Sequence, residues 1–76
     1  MTTFIVTKEE FDKEAKIFFD ALNSLNHDQI DNGLKALYLL YLGIKNATEE
    51  ELLECVKIID LAENKVLEKR LDFLYN

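Results

Sequence analysis

The sequence predicts an all-α protein, a small four-helix bundle that reduces to three helices if the last segment is continuous. The chain of 76 residues has no Pro and two Gly. Leu, Glu, Lys and Ala supply much of it, and these residues lose little side-chain freedom in a helix. Apolar residues also recur at spacings of three and four, the repeat of a helix with one buried face. We expect one domain over residues 1–76, with a single small core.

The first helix is predicted to begin after Thr7 and to run from Lys8 to about Ser24. Thr7 followed by Glu10 is a capping box, in which the hydroxyl accepts a backbone N–H of the first turn and the carboxylate reaches back. At about 100° per residue, five apolar side chains form one stripe on this helix: Phe11, Ala15, Phe18, Leu22 and Leu25.

Residues 1–7 precede this helix as an arm, for which a packed and a disordered state both stay open. The segment from Thr2 to Val6 favours a β conformation, and the sequence offers it no obvious strand partner.

The second helix is predicted to begin at Asn26, with Gln29 completing a capping box, and to end where Gly43 and Asn46 stand. Gly33 lies in its interior and costs about 1 kcal/mol relative to Ala, so fraying or a bend is expected there. Its inward stripe has the same four-three spacing: Ile30, Leu34, Leu37, Tyr41 and Ile44.

The last segment begins at Thr48, where a capping box with Glu51 and three consecutive carboxylates mark a helix N-terminus. No helix breaker follows up to residue 75, although a continuous helix of that length spans about 40 Å, against ~25 Å for either earlier helix.

Charges on one face of this last segment predict a break in the helix. Glu63 and Arg70 lie in the middle of the face that Leu52, Val56, Ile59, Val66 and Leu74 share. A kink near residues 62–64 would move Arg70 aside and create a fourth helix. Four side chains would then face the core: Val66, Leu67, Leu71 and Leu74.

The charge balance sets limits on nucleic-acid binding. Fifteen acidic and nine basic residues give a formal net charge of -6, which disfavours a protein that coats nucleic acid through general attraction to phosphates. A local patch stays open, because basic residues concentrate in the C-terminal quarter. Weak binding to branched or single-stranded nucleic acid would use four of them: Lys57, Lys65, Lys69 and Arg70.

Catalytic chemistry has few candidate residues in this chain. Cys55 is the single Cys and His27 the single His, so neither an intramolecular disulfide nor a Cys/His zinc site is expected. Cys55 or Ser24 with His27 is the one nucleophile-base combination, and a small buried thiol is the commoner role for such a cysteine. We expect no enzymatic activity and no cofactor.

The single cysteine is typical of a reducing cytoplasm. The N-terminus has no basic segment of the kind that opens a secretory signal, and the longest apolar stretch, residues 36–44, rises only about 14 Å as a helix. A bilayer core is about 30 Å thick, so we expect no membrane contact and a cytoplasmic location.

The second helix is apolar nearly all the way round. From Leu34 to Ile44 only Lys35 and Gly43 interrupt the apolar run. Either this helix is the centre of the bundle, or part of it is uncovered and meets a protein partner or a second copy. In the second case the contact would use three residues: Tyr38, Leu39 and Leu42.

The whole chain has a family resemblance. It rests on the length, on a run of Lys, Asn, Ile and Glu typical of an AT-rich phage gene, and on the four-helix pattern. The chain resembles the small accessory proteins that T-even phages encode beside the recombination helicase UvsW. The resemblance implies a fold similar to HRDC, the helical nucleic-acid-binding module of RecQ-type helicases, and a location in the host cytoplasm. HRDC domains usually have Pro-rich and Gly-rich turns, which this chain lacks, so no binding residue is carried over.

Together these observations predict a non-enzymatic helical accessory module in phage DNA replication, recombination or repair. One version binds nucleic acid weakly through the C-terminal basic patch and is expected to be a monomer. The alternative is a protein-interaction module, in which the apolar second helix binds a helicase or another copy of the chain.

Overall fold

The computed structural model describes residues 6–75, the side chains of residues 73 and 75 excepted. Helix α1 covers Lys8–Ala21 and continues into a 3-10 turn at Leu22–Ser24. Helix α2 covers His27–Gly43, and helix α3 covers Glu49–Tyr75. The fold is therefore all-α, as the sequence predicts, in the form with a continuous last helix.

The inward stripes predicted for α1 and α2 are confirmed. Four of the five α1 residues are buried, and Leu25 packs partly buried against them. In α2 the side chains of Ile30 and Leu37 are buried, with Leu34 and Tyr41 partly buried beside them, and Ile44 is buried directly after the helix.

The kink predicted near residues 62–64 is wrong, and so is the fourth helix, because α3 is unbroken over 27 residues. Its buried face is Cys55, Ile59, Ala62 and Val66, a stripe at spacings of four, three and four that contains no charge. Glu63 lies about 60° or more from the centre of this stripe and is exposed, so the unbroken helix buries no charged residue.

Polar contacts show the order and direction of the helices. Lys8 Nζ lies 2.9 Å from Glu54 Oε2, and Lys69 Nζ donates to the Asn23 carbonyl at 3.4 Å. Both contacts join residues 46 apart, so α1 and α3 run parallel. Arg70 near the end of α3 pairs with Asp31 near the start of α2, so α2 is antiparallel to α3. Each helix contacts the other two.

Side chains at the helix starts satisfy backbone N–H groups, as the sequence predicts. The Thr7 hydroxyl accepts from the Glu10 N–H at 3.2 Å, but the Glu10 carboxylate does not bond back to the Thr7 N–H, so only half of the capping box predicted before α1 forms. Asn26 and Gln29 form a complete capping box before α2. At the start of α3, the Thr48 hydroxyl accepts from the Glu51 N–H, and the Glu51 carboxylate accepts from the Thr48 N–H, both at 3.1 Å. These bonds set where α2 and α3 begin.

The end of the N-terminal arm packs against the end of α2. Val6 is fully buried, its N–H donates to the Gly43 carbonyl at 3.2 Å, and it forms a parallel β-bridge with Ile44. Val6 thus packs through one isolated bridge, and no strand forms among residues 6–75. The rest of the predicted arm, residues 1–5, lies outside the described residues. Asn46 ends the turn after α2 with a φ of 59°, a conformation that Asn tolerates better than most residues.

Candidate interaction surfaces

Helix α2 is not the covered centre of the bundle. Leu39 is 69% exposed, Leu42 is 72% exposed and Tyr38 is 39% exposed. Since α1 and α3 cover only one side of α2, these three side chains lie on its outer side. The structure therefore agrees with the second of the two interpretations, in which part of α2 is left uncovered.

Leu39 borders an open groove between α1 and α2. Ala36 and Leu40 also line it from α2, and Glu10, Lys13 and Glu14 line it from α1. The groove has a volume of about 630 Å³. Its α2 wall is apolar and its α1 wall is charged, which is the chemistry of a site for an amphipathic segment.

Tyr38 and Leu42 lie on a different side of α2 from the groove. They follow Asp31 by seven and eleven residues, so they share its side of the helix, and Asp31 pairs with Arg70 of α3. The three residues predicted to bind a partner are thus divided: Leu39 belongs to the α1–α2 groove, whereas Tyr38 and Leu42 belong to the α2–α3 side.

Helix α3 adds exposed apolar side chains to that same side. They lie within about 40° of one line along the helix, away from its buried face: Leu53, Val56, Leu67, Leu71 and Leu74. With Tyr38 and Leu42 they form a surface that we call the α2–α3 stripe. The prediction that Leu67, Leu71 and Leu74 face the core is wrong, since they are 56%, 42% and 78% exposed.

A signal for these missed residues is present in the sequence. Helix α3 has two apolar stripes about 120° apart. The stripe with the small residues Cys55 and Ala62 is free of charge and faces the core, whereas the stripe with the larger leucines contains Asp60. Choosing the charge-free stripe as the buried one would have identified the exposed leucines.

The four predicted nucleic-acid-binding residues do not form one face. Lys69 and Arg70 are about 100° apart around α3. Lys69 turns toward α1, where it donates to the Asn23 carbonyl, and Arg70 turns toward α2, where it pairs with Asp31. Lys57 and Lys65 are exposed and lie two helical turns apart. The structure thus distributes these cations around α3.

Cys55 and His27 lie at opposite ends of the bundle. Cys55 is near the start of α3, close to the level of Lys8, whereas His27 lines a shallow pocket with Asp31, Arg70 and Leu74 near the end of α3. Burial raises the pKa of the Cys55 thiol, and the Asp12 carboxylate raises it further. Cys55 is fully buried, in agreement with the predicted role of a small core residue.

Around Cys55, one lysine connects the starts of α1 and α3. Lys8 Nζ lies 2.7 Å from Asp12 Oδ2 and 2.9 Å from Glu54 Oε2. Hydrogen bonds to Asp12 and then Glu54 raise the pKa of Lys8 well above its usual range. This cluster acts as a clamp between the two parallel helices.

Two further features concern residues 6–75 as a whole. Among them, no three His, Cys, Asp or Glu side chains come together in a way that could hold a metal ion. Within the same part of the chain, no helix combines the length and the apolar character that crossing a membrane requires.

Comparison with known proteins gives no relative: the chain matches no protein-family model, no curated protein and no solved structure. Inference about function therefore depends on the surfaces described above.

Proposed function

We propose that this chain is a protein-binding module and that Leu39, beside the α1–α2 groove, lies at the centre of the contact. The proposal rests on the 69% exposure of Leu39, on a helix in which Leu42 is similarly exposed. Fully burying a leucine side chain is worth about 1.5–3 kcal/mol. A partner that covers Leu39 and the groove wall therefore gains affinity from surface that the free chain leaves in water.

The groove favours an amphipathic helix as the partner segment. Its apolar wall, with Ala36 and Leu40, can take apolar side chains at helical spacing. Glu10 and Glu14 on the opposite wall favour basic residues along the edge of that helix, and Lys13 between them accommodates one acidic residue. The proposed partner is thus a helix with one apolar face and a predominantly basic border.

Binding of nucleic acid through α3 is the weaker proposal. Lys69 and Arg70 already contact oxygen atoms of this chain, and the net charge of -6 opposes approach to a phosphate backbone. Two exposed lysines are left, Lys57 and Lys65. A role beside phage replication, recombination or repair proteins suits a binding module of either kind, and it rests on the family resemblance alone.

Site-specific photo-crosslinking in cells that make the chain naturally tests the proposal. A photoreactive amino acid at position 39 is expected to form an adduct with one protein, whereas the same group at position 16 is not. The Lys16 side chain is 77% exposed on α1, so it serves as the matched exposed position. The crosslinked protein is then purified and its binding measured directly.

The variant Leu39→Glu is expected to weaken binding of that protein by about tenfold or more, as for a central contact residue. Leu61→Glu is the control, because Leu61 is a 49% exposed leucine on α3. Equal binding by wild type and Leu39→Glu would reject the proposal. Salt-sensitive NMR shifts at Lys57 and Lys65 on titration with single-stranded or branched DNA would replace it with nucleic-acid binding.

A further inference from the structure

Beside the gap in the apolar surface of α3, α2 contributes the exposed side chains of Tyr38 and Leu42 to the α2–α3 stripe. Between Val56 and Leu67, α3 presents the polar residues Asp60, Glu63 and Asn64. Arg70 is level with Asp31, and α2 runs antiparallel to α3. Counting along both helices from that pair, Tyr38 is level with position 63 of α3 and Leu42 with position 59.

The stripe therefore has apolar side chains at seven successive levels along about 32 Å of helix. Expressed as α3 positions, these levels are 53, 56, 59, 63, 67, 71 and 74. If these seven levels are counted from the opposite end of the helix, each falls within one residue of a level in the original list. Along α3, position 53 exchanges with 74, position 56 with 71 and position 60 with 67, so Leu67 meets Asp60 of the other copy. The level of Tyr38 changes by one residue.

We propose that a second copy of this chain binds the α2–α3 stripe and forms an antiparallel, two-fold symmetric dimer. A two-fold interface brings the same patch of both copies together, so the patch must be complementary to itself when reversed. In this dimer α3 packs against α3 of the second copy, with Leu53 opposite Leu74 and Val56 opposite Leu71. The expectation of a monomer is then replaced by a reversible dimer.

The exposed area of the α2–α3 stripe suits binding of a second copy of the chain. The seven side chains leave on the order of 700 Å² exposed, close to the ~800 Å² that each partner buries in an interface of standard size. Apolar patches beyond a few hundred Å² are unusual on monomers. A second copy covers the stripe along its whole length, and the groove beside Leu39 stays open for the partner proposed above.

Charges on the stripe predict how strong the dimer is. Asp60 and Glu63 lie near its centre, and two copies of net charge -6 repel each other. Polar residues in the seam between two helices lower stability and fix the alignment. We therefore expect a reversible dimer that forms between about 1 µM and 1 mM, the range of weak specific complexes. Salt is expected to strengthen it by screening the repulsion.

Analytical ultracentrifugation of the full chain across that concentration range tests the proposal. Wild type is expected to pass from monomer to dimer, and Leu67→Asp to lose the dimer. Leu61→Asp is the matched control, because Leu61 is an exposed leucine of α3 outside the stripe. Asp60→Leu is expected to tighten the dimer by about tenfold or more, since it removes the charge from the seam. This gain is measurable even if Leu67→Asp disturbs folding.

The antiparallel orientation of the two copies is tested by a separate NMR measurement. In a mixture of isotope-labelled and unlabelled chains, NMR contacts between copies are expected from the Leu53 methyl groups to those of Leu74. These residues are about 32 Å apart along one helix, so such a contact joins two copies. Contacts from Leu53 to Leu53 would overturn the antiparallel arrangement. A monomer at every concentration, or a dimer that Leu61→Asp abolishes and Leu67→Asp does not, would overturn the dimer.

The dimer and the partner-binding function can be rejected independently, because different variants test them. The dimer extends the proposed function to a second surface and rests on the same view of the chain as a module that acts through protein contacts. Leu39→Glu changes the groove and leaves the stripe intact, whereas Leu67→Asp does the reverse. Loss of the dimer with unchanged partner binding would therefore reject the dimer alone.

Discussion

The ring of Phe18 in α1 lies directly against the backbone of Gly33 in α2. A Cβ atom on Gly33 would stand 2.5 Å from Cδ1 and 2.6 Å from Cε1 of that ring. Phe18 is buried, and its ring would have to shift before a Cβ atom could fit on Gly33. Gly33, which the sequence marks as a weak point of α2, is thus the residue that allows α1 and α2 to approach each other.

Gly33→Ala is expected to destabilise the fold by about 1–3 kcal/mol, the usual cost of overpacking a core. This sign is opposite to the gain of about 1 kcal/mol that Ala brings over Gly inside a helix. Urea unfolding measures the difference. Asn32→Ala, at the exposed neighbouring position, is the control and is expected to gain up to about 0.7 kcal/mol from helix propensity alone. A Gly33→Ala variant more stable than wild type would show that the ring is not tightly held.

The capping box at the start of α3 makes stability depend on pH. Hydrogen bonds from the Thr48 backbone N–H and hydroxyl hold the pKa of Glu51 below its usual range, and Lys8 adds a favourable charge. The unfolded chain therefore binds the Glu51 proton more readily than the folded chain does. Stability from this group is complete above the ordinary pKa of a glutamate and is lost as the pH falls through the lower, folded value.

Replacing Glu51 tests this linkage. Glu51→Gln is expected to be less stable than wild type at pH 7 and to lose less stability between about pH 5 and pH 3. Glu50→Gln is the control, because Glu50 lies in the same first turn without the bond to Thr48. Urea unfolding at several pH values gives both curves. If the two variants have the same pH dependence, the effect comes from the helix dipole and not from the capping box.

The contact between Arg70 and Asp31 marks the register of α2 on α3, and we expect it to contribute little free energy. Both side chains are about half exposed, and ion pairs of that kind contribute about 0–1 kcal/mol. A double-mutant cycle with Arg70→Gln and Asp31→Asn measures the coupling, which salt is expected to reduce. A coupling well above 1 kcal/mol, or one insensitive to salt, would mean that the pair is shielded from solvent.

The parts of the fold that depend on a pattern within one helix could be predicted from the sequence. The caps at Asn26 and Thr48, and the apolar stripe of α1, are local patterns, and the structure reproduces them. The kink predicted in α3 is wrong because the continuity of this helix depends on which of its two apolar stripes is buried. That choice is made by tertiary packing, which buries the small side chain of Ala62 fully and leaves the larger Leu67 56% exposed.

The candidate surfaces were only partly predictable for the same reason. The exposure of Leu39 and Leu42 follows from an apolar helix in a bundle with too few helices to surround it. The α2–α3 stripe combines residues of two helices at matching levels, and those levels depend on the Arg70–Asp31 register. Sequence spacing within one helix carries no information about that alignment.

Cys55 is expected to be nearly inert toward thiol reagents in the folded protein. Its side chain is fully buried, and both burial and the Asp12 carboxylate raise its pKa, so little reactive thiolate forms at neutral pH. Modification must wait for local or global opening of the structure. We expect a rate at least about 100-fold below that of the urea-unfolded chain, because even a modest opening free energy of ~3 kcal/mol gives such a factor.

The reference is Leu61→Cys in a Cys55→Ala background, where the thiol is placed at an exposed position of the same helix and is expected to react like a small-molecule thiol. Equal native rates for Cys55 and the cysteine at position 61 would show that α3 opens freely at its N-terminal half, and the Lys8 clamp between α1 and α3 would then be too weak to protect the core.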